Sequence, residues 1–315
     1  MRRIFLLLLA MSVMIFPVSA KEPIRWVDFQ IPYESLKYAM EVDIETFDQE
    51  KHLDWVDVLA IAGCRTGGKC GLESVKKAVK DLKGDAAPEE LLGDLYRYYD
   101  YYREAYDGVL GGLLGSFAIE KDGQQHPTYG LKAFSPIGAG YRYAHSDDFG
   151  NARSFGFARK HLGHDMMGSQ GTPIVAVEGG VVEAMGWNRY GGWRIGIRSF
   201  DSKRYYYYAH LQKDHPFAEG LEVGDLVNAG DLIGFMGRTG YSDKENTNNI
   251  ETVHLHFGMQ LVFDESQKEC LSEIWIDTYD IIRLLDSHRS SIRRKGSAWE
   301  RVYPFTDLDW EEFPG

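Results

Sequence analysis

The run Val253-His-Leu-His-Phe-Gly-Met-Gln-Leu-Val262 sets two histidines, His254 and His256, two residues apart in a largely apolar stretch. Such a run reads as a β-strand. Strand side chains alternate between faces, so both imidazoles leave one face while Leu255 and Phe257 leave the other. Two histidines carried on a buried strand cost free energy unless other groups pair with them. A His-x-His alone also occurs by chance on surface strands, so the pair constrains the fold only together with further polar residues that converge on it.

Two further elements supply such residues. His161-Leu-Gly-His-Asp165 offers an imidazole and a carboxylate with a glycine between them, which suits a loop that wraps a metal before entering a strand; the alternative is a solvated polar loop ahead of Met166. His164 adjoins Asp165, and neighbours on an extended chain point apart, so these two are not expected to share an ion. His210 closes Tyr205-Tyr-Tyr-Tyr-Ala-His210. With period two, Tyr206, Tyr208 and His210 share a face, and a histidine in a tyrosine-lined cleft suits proton transfer. Three histidines and a carboxylate that meet would hold one zinc ion and leave a position for water. Spacing alone does not decide whether His254 or His256 is the ligand.

The surrounding chain divides by periodicity. Residues 1–20 read as a secretory leader: Arg2 and Arg3, the apolar run Ile4 to Phe16, then the small-residue site Val18-Ser19-Ala20. That run is about a dozen residues, short of the roughly 20 a spanning helix needs, so no stable membrane insertion is expected after cleavage. Residues 21–130 read mainly as a helical module. Trp55, Val58, Leu59 and Ala62 mark a helix ended by Gly63, and Pro88 opens a longer one through Leu92, Leu95, Tyr98 and Tyr102. Its aromatic stripe (Tyr96, Tyr98, Tyr99, Tyr101, Tyr102, Tyr106) packs between helices or stacks on glycan rings. Gly108, Gly111, Gly112 and Gly115 mark a helix end or a flexible junction.

From about residue 120 short apolar alternations separated by turns indicate a mostly antiparallel sheet over 131–263. Ile174 to Val177 and Val181 to Met185 flank Gly179-Gly180 as a hairpin, and Trp193 to Phe200 and Lys203 to Leu211 flank Asp201-Ser202 as another. Residues 264–315 return to helix at Ile274 to Leu285, followed by a solvated basic cluster (Arg289, Arg293, Arg294, Lys295) and an acidic end with Trp310, Glu311 and Glu312. The fold class is α+β.

Cys64 and Cys70 either close a small disulfide loop or remain thiols, and Cys270 has no evident partner. The formal charge of −12, or −14 once Arg2 and Arg3 leave with the leader, argues against nucleic acid and against adhesion to anionic surfaces, though a local basic groove would be hidden in that total. Oligomeric state is not legible.

His161-x-x-x-Asp165, Tyr208-Ala-His210-Leu and His254-Leu-His256-Phe together resemble the signature of the lysostaphin/LytM-type zinc metallopeptidases. Gly171-Thr-Pro-Ile-Val-Ala-Val-Glu-Gly-Gly-Val-Val182, Val223 to Gly234 and Gly237-Arg-Thr-Gly240 match that family's glycine-rich frames, so the likeness covers roughly residues 135 to 262. The resemblance implies an antiparallel metallopeptidase domain over 131–263, with an open groove and one zinc at its floor. It implies His161, Asp165 and His256 as ligands, and His210 and His254 as the catalytic pair. It implies hydrolysis of peptide bonds in peptidoglycan stem peptides or cross-bridges, outside the cell at the wall or in the periplasm. Zinc in such a site lowers the pKa of bound water and polarises the carbonyl, while a histidine moves the proton. Tyr208 is a candidate oxyanion donor. Two positions depart from the family: Tyr241 to Thr252 is longer and polar, and His164 replaces an apolar residue.

The competing reading is a non-catalytic relative that binds the wall or regulates another hydrolase; such relatives lose ligands, whereas all five positions are kept here. A cupin-like oxygenase also uses His-x-His but requires a glutamate at a set spacing after His256, and none stands at that spacing here. The N-terminal position of the helical module, with its aromatic face, leads to one more expectation: a latent enzyme whose groove the module covers.

Overall fold

The computed structural model describes residues 23–268, 272–296 and 298–310. The leader at 1–20, Cys270, Glu311 and Glu312 lie outside them. Five helices come first: α1 (Tyr33–Thr46), α2 (Trp55–Thr66), α3 (Leu72–Leu82), α4 (Pro88–Leu92) and α5 (Tyr99–Leu110). The Asp54 carboxylate accepts from the Val56 and Asp57 amides and caps α2. Gly63 does not end this helix, which runs on to Thr66 and stops at left-handed Gly67 (φ 63°). Gly63 serves packing instead, since a Cβ there would lie 2.9 Å from the Tyr106 hydroxyl. The long helix expected from Pro88 is also broken: Gly93 (φ 52°) interrupts it, a 3-10 turn covers Gly93–Tyr98, and α5 begins afresh.

The aromatic stripe divides. Tyr99 and Tyr106 are buried while Tyr96 and Tyr98 are exposed. Cys64 and Cys70 are both free and buried, and Cys70 Sγ lies 3.5 Å from the Tyr106 hydroxyl.

The strands follow as β1 (Leu114–Lys121), β2 (Gln124–Leu131), β3 (Ala144–His145), β4 (Ala152–Arg153), β5 (Arg159–Lys160), β6 (His164–Met167), β7 (Pro173–Val175), β8 (Gly180–Asn188), β9 (Gly192–Ser199), β10 (Arg204–Ala209), β11 (Leu226–Val227), β12 (Leu232–Phe235), β13 (His254–Leu261), β14 (Ile274–Ile276), β15 (Ile292–Lys295), β16 (Ala298–Arg301) and β17 (Phe305–Asp307). The main sheet has the order β11-β8-β9-β10-β13-β6-β3, with β14 beside the far half of β13, and its pairings are antiparallel. The α+β class, with a helical region, a mostly antiparallel sheet and a short helix α6 (Tyr279–Leu285), is as expected.

Some pairings differ from expectation. The β9–β10 reversal forms, but β7 pairs with β12 rather than making a hairpin with β8. Glycine pairs suit a turn between neighbours, but here β8 takes β9 and β11 on its two edges. Helix gives way to strand at Leu114, earlier than the periodicity implied. Ile274–Ile276 is strand, and β17 returns to pair with β1.

One face of the main sheet is the core. Val182, Ile195, Ile197, Tyr206, Tyr208, Leu255, Phe257 and Met259 are fully buried, and they share one apolar cluster with Leu59, Tyr106 and Leu110 of the helices. The glycines in the last turn of α5 and just after it lie in this packed junction: a Cβ on Gly108 would meet Phe263 at 2.8 Å, and one on Gly112 would collide with Glu178. Arg204 fastens the contact. It is fully buried, donates to Glu178 (2.7 and 3.0 Å) and Asp201 (2.8 Å), and also donates to the Gly108 carbonyl at 3.0 Å. Tyr206 adds a 2.6 Å bond to Glu178. The helical module therefore sits against the sheet's core face. It does not cover the opposite face, and the latent arrangement is not what this chain adopts.

Removing one partner of a buried ion pair leaves the other charge uncompensated, at about 3–5 kcal/mol. Arg204→Ala should lower the thermal midpoint sharply and loosen the helices together with the sheet, read by thermal unfolding followed in both far- and near-ultraviolet circular dichroism.

Candidate metal centre

β6 and β13 pair so that Asp165 lies directly opposite His256. His161 enters from the loop after β5, fixed by backbone bonds from its amide to Asn151 O (2.8 Å) and from the Gly150 amide to its carbonyl (2.7 Å). Three atoms then meet. His161 Nε2 lies 2.9 Å from His256 Nδ1, and each nitrogen lies 3.0 Å from Asp165 Oδ1. Metal–ligand bonds of about 2.0–2.1 Å in tetrahedral geometry separate ligands by about 3.3 Å, so this triangle is close to what a zinc ion requires. Gly163 makes room for it, because a Cβ there would lie 2.5 Å from His256 Cε1.

The other side of His161 strengthens the fit. Its Nδ1 lies 3.0 Å from the Asp148 carbonyl and 3.1 Å from the Asp148 carboxylate, so that nitrogen carries the proton and Nε2 presents a lone pair. A lone pair at 3.0 Å from a carboxylate oxygen is stable only if a cation lies between them or the ring gains a second proton. Nitrogen, nitrogen and oxygen donors suit zinc. Asp148 thus orients His161, a role its sequence does not announce: an Asp three residues after a histidine in a loop carries no signal of its own. Arg153 also reaches both Asp148 and Asp165 at 3.0 Å.

His164 turns away from this triangle. Its Nε2 lies 2.7 Å from His145 Nδ1, and its Nδ1 lies 3.5 Å from Asp148. Burial, with His145 beside it, pushes His164 down to about 4.

His254 and His210 flank the triangle, their ring centres 4.7 Å apart. His254 Nδ1 donates to Thr252 O and His210 Nδ1 to Thr239 O, both at 2.9 Å, so the neutral tautomer of each ring carries its lone pair on Nε2. His254 Nε2 lies 3.8 Å from Asp165. The two imidazoles of β13 share a face, as alternation required. His210 does not share the face of Tyr206 and Tyr208. Its backbone is left-handed (φ 60°), which breaks the alternation and turns the ring to the side of Tyr205 and Tyr207. Its amide bonds to Gly191 O at 2.8 Å and its carbonyl accepts from Gly237 at 3.1 Å, which holds the turn. Tyr208 is fully buried on the core face, its hydroxyl accepting from the Val177 amide at 2.9 Å, so the oxyanion role is withdrawn.

All five polar residues open onto one groove of about 700 Å³. Its floor is Tyr205, Tyr207, Gln260 and Trp275. One wall is the β4–β5 hairpin, where Arg159 lies over the Tyr190 and Tyr241 rings at 5.3 and 5.5 Å. Tyr241 is the part of the long polar segment that reaches this wall; it stacks on Phe155 at 4.5 Å. Arginines and lysines from three strands and a turn line a groove within a chain of net charge −12.

Residues 159–268 match the sequence profile of peptidase family M23. The L-Ala–D-Glu endopeptidase of Bacillus subtilis is 37% identical over 161 residues, 51% of this chain and 47% of that protein. Lysostaphin of Staphylococcus simulans is 38% identical over 98 residues, 31% of this chain and 17% of that protein. The chain thus matches about half, or less, of the length of these curated relatives. A crystal structure from Ruminococcus gnavus, provisionally assigned as the glycyl-glycine endopeptidase LytM, superposes with a TM-score of 0.54 at 23% identity. It covers 87% of this chain and 94% of its own, a likeness of fold that takes in the helical region as well.

Burial, with His254 and His256 nearby, holds His210 well below the usual histidine value, and burial also lowers His256 against the pull of Asp165. In the unfolded chain these rings take up protons near pH 6.5. Below that pH the unfolded state binds more protons than the folded one, so stability falls as pH falls. The urea midpoint of the metal-free chain should be lower at pH 5.5 than at 7.5; an unchanged or higher midpoint counts against neutral buried histidines.

Proposed function

From the match of residues 159–268 to peptidase family M23, we propose that this chain is a zinc metalloendopeptidase of the LytM/lysostaphin type that hydrolyses peptide bonds of peptidoglycan. The observation that carries this reading is the triangle of His161 Nε2, Asp165 Oδ1 and His256 Nδ1 beside two imidazoles with free Nε2 atoms. His161, Asp165 and His256 hold one zinc ion. When bound, the metal supplies an acidified water and polarises the scissile carbonyl.

The remaining chemistry belongs to the side chains. His210 and His254 each have Nδ1 tied to a backbone carbonyl, so each ring is held in the tautomer that accepts a proton at Nε2. One of them takes the proton of the attacking water and returns it to the leaving amine, while the other orients the reacting groups. Because burial lowers the His210 pKa, its ring remains a neutral base below the ordinary histidine range. The tyrosine floor and the Phe155–Tyr241 wall hold the peptide extended and limit its contact with water. Export by residues 1–20 places the reaction at the wall or in the periplasm.

Metal analysis and loss of turbidity of purified walls test the activity, and mass spectrometry of digested muropeptides identifies the bond. His256→Ala should lose both the metal and the activity. His254→Ala should keep one zinc per chain while kcat falls about 10²- to 10⁴-fold, the usual contribution of a positioned acid–base group. A wild-type chain that binds zinc but leaves walls and muropeptides intact would overturn the reading.

A further inference from the structure

The groove face of β9 carries Arg194, Gly196 and Arg198 at alternate positions. Arg198 is committed: its Nε and Nη2 donate to Glu183 at 2.8 and 3.2 Å, and its guanidinium lies 5.0 Å over the Tyr205 ring. Tyr205 lies across Gly196, where a Cβ would overlap its hydroxyl. Arg194 is different. Among the described residues it makes no ion pair, and its Nε is buried without a hydrogen-bond partner. Arg198 Nη1 is likewise buried without a partner, but the charge of that guanidinium is met by Glu183, whereas no carboxylate among the described residues meets the charge of Arg194, and leaving such a group unpaired costs free energy.

The acids that line the groove are engaged elsewhere. Asp165 belongs to the histidines and Arg153, Glu183 to Arg198, and Glu273 accepts from Trp275 Nε1 at 2.8 Å. Among the other cations, Arg159 donates to Phe155 O and to the Tyr241 hydroxyl, Lys268 pairs with Glu265, and Lys160 stands on the exposed rim. Arg159 and Arg194 are therefore the half-buried positive charges in the groove with no internal anion, and of the two only Arg194 keeps a buried N–H without a partner.

Register fixes its place. β10 pairs Tyr208 with Ile195 and Ala209 with His256. Carried one residue further, the first pairing sets Arg194 level with Ala209, two strands from His256. Two strand spacings are about 10 Å, the span of about three residues of an extended peptide, before the reach of the arginine side chain is taken into account.

We infer that Arg194 forms a carboxylate subsite, so that the preferred peptide carries a free carboxylate within a few residues of its scissile bond. The inference rests on the hydrolysis proposed above and narrows it toward acidic stem peptides over uncharged glycine bridges. A guanidinium binds a carboxylate through paired charge-assisted hydrogen bonds, which an amide cannot replace.

The test compares a synthetic stem peptide with free carboxylates, the same peptide with each carboxylate converted to a carboxamide, and end-blocked pentaglycine. Affinity by calorimetry and kcat/KM are measured for zinc-loaded wild type, Arg194→Gln and Arg194→Lys. Wild type should favour the acid over the amide by about 10- to 100-fold, the range of one hydrogen-bonded charge. Arg194→Gln should bring that ratio near one, and Arg194→Lys should restore part of it. A wild-type ratio near one, a preference for pentaglycine, or an equal loss on acid and amide in Arg194→Gln overturns the subsite. A ratio seen in binding with no peptide cleaved upholds the subsite and fails the hydrolysis; cleavage without the ratio does the reverse.

Discussion

The pairing of β6 with β13 is the constraint on which the rest depends. Asp165 opposite His256 sets two of the three converging atoms, and the same register sends Leu255 and Phe257 into the core. A slip of one residue would exchange the faces, burying imidazoles in the apolar layer and exposing Phe257. The core holds this register by its apolar face, and the helices hold the core. Arg204 closes the arrangement from below, tying β10 to Glu178 and to the end of α5. Groove and helical module thus occupy opposite sides of one sheet, and the module acts as its foundation.

Much of the site could be read from the chain because it rests on alternation. His254 and His256 share a face for the same reason that any i, i+2 pair on a strand does, and adjacency correctly separated His164 from Asp165. Alternation failed at His210, where a left-handed residue turns the ring to the other side. A histidine after four tyrosines carries no mark of that turn. Asp148 was invisible for a related reason: it acts on His161 through space, from a loop of no particular pattern. Gly63 and Gly179-Gly180 misled because glycine signals either a turn or a close approach. At Gly63 the approach of Tyr106 decides, and at Gly180 the neighbouring Arg198 carbonyl lies where a Cβ would go.

The electrostatics are as uneven as the packing. A chain of net charge −12 places Arg153, Arg159, Lys160, Arg194 and Arg198 around one groove. Low-dielectric walls concentrate such a field, while the acidic exterior discourages nonspecific adhesion to polyanions. An anionic peptide is then drawn to the groove and not to the body. Salt weakens this guidance over about 10 Å at 0.1 M ionic strength, but it screens the half-buried groups within the groove much less.

The left-handed backbone at His210 also limits which residues that position can accept. Most side chains meet their own carbonyl in this conformation, and glycine, asparagine, aspartate and histidine reach it with least strain. Of these four, only histidine joins that tolerance to a proton acceptor that works near neutral pH. With the proton-transfer role proposed for His210, the handedness of a single peptide unit narrows the usable alphabet there to almost one letter. Any replacement there meets a backbone constraint as well as a chemical one, and tests the two together.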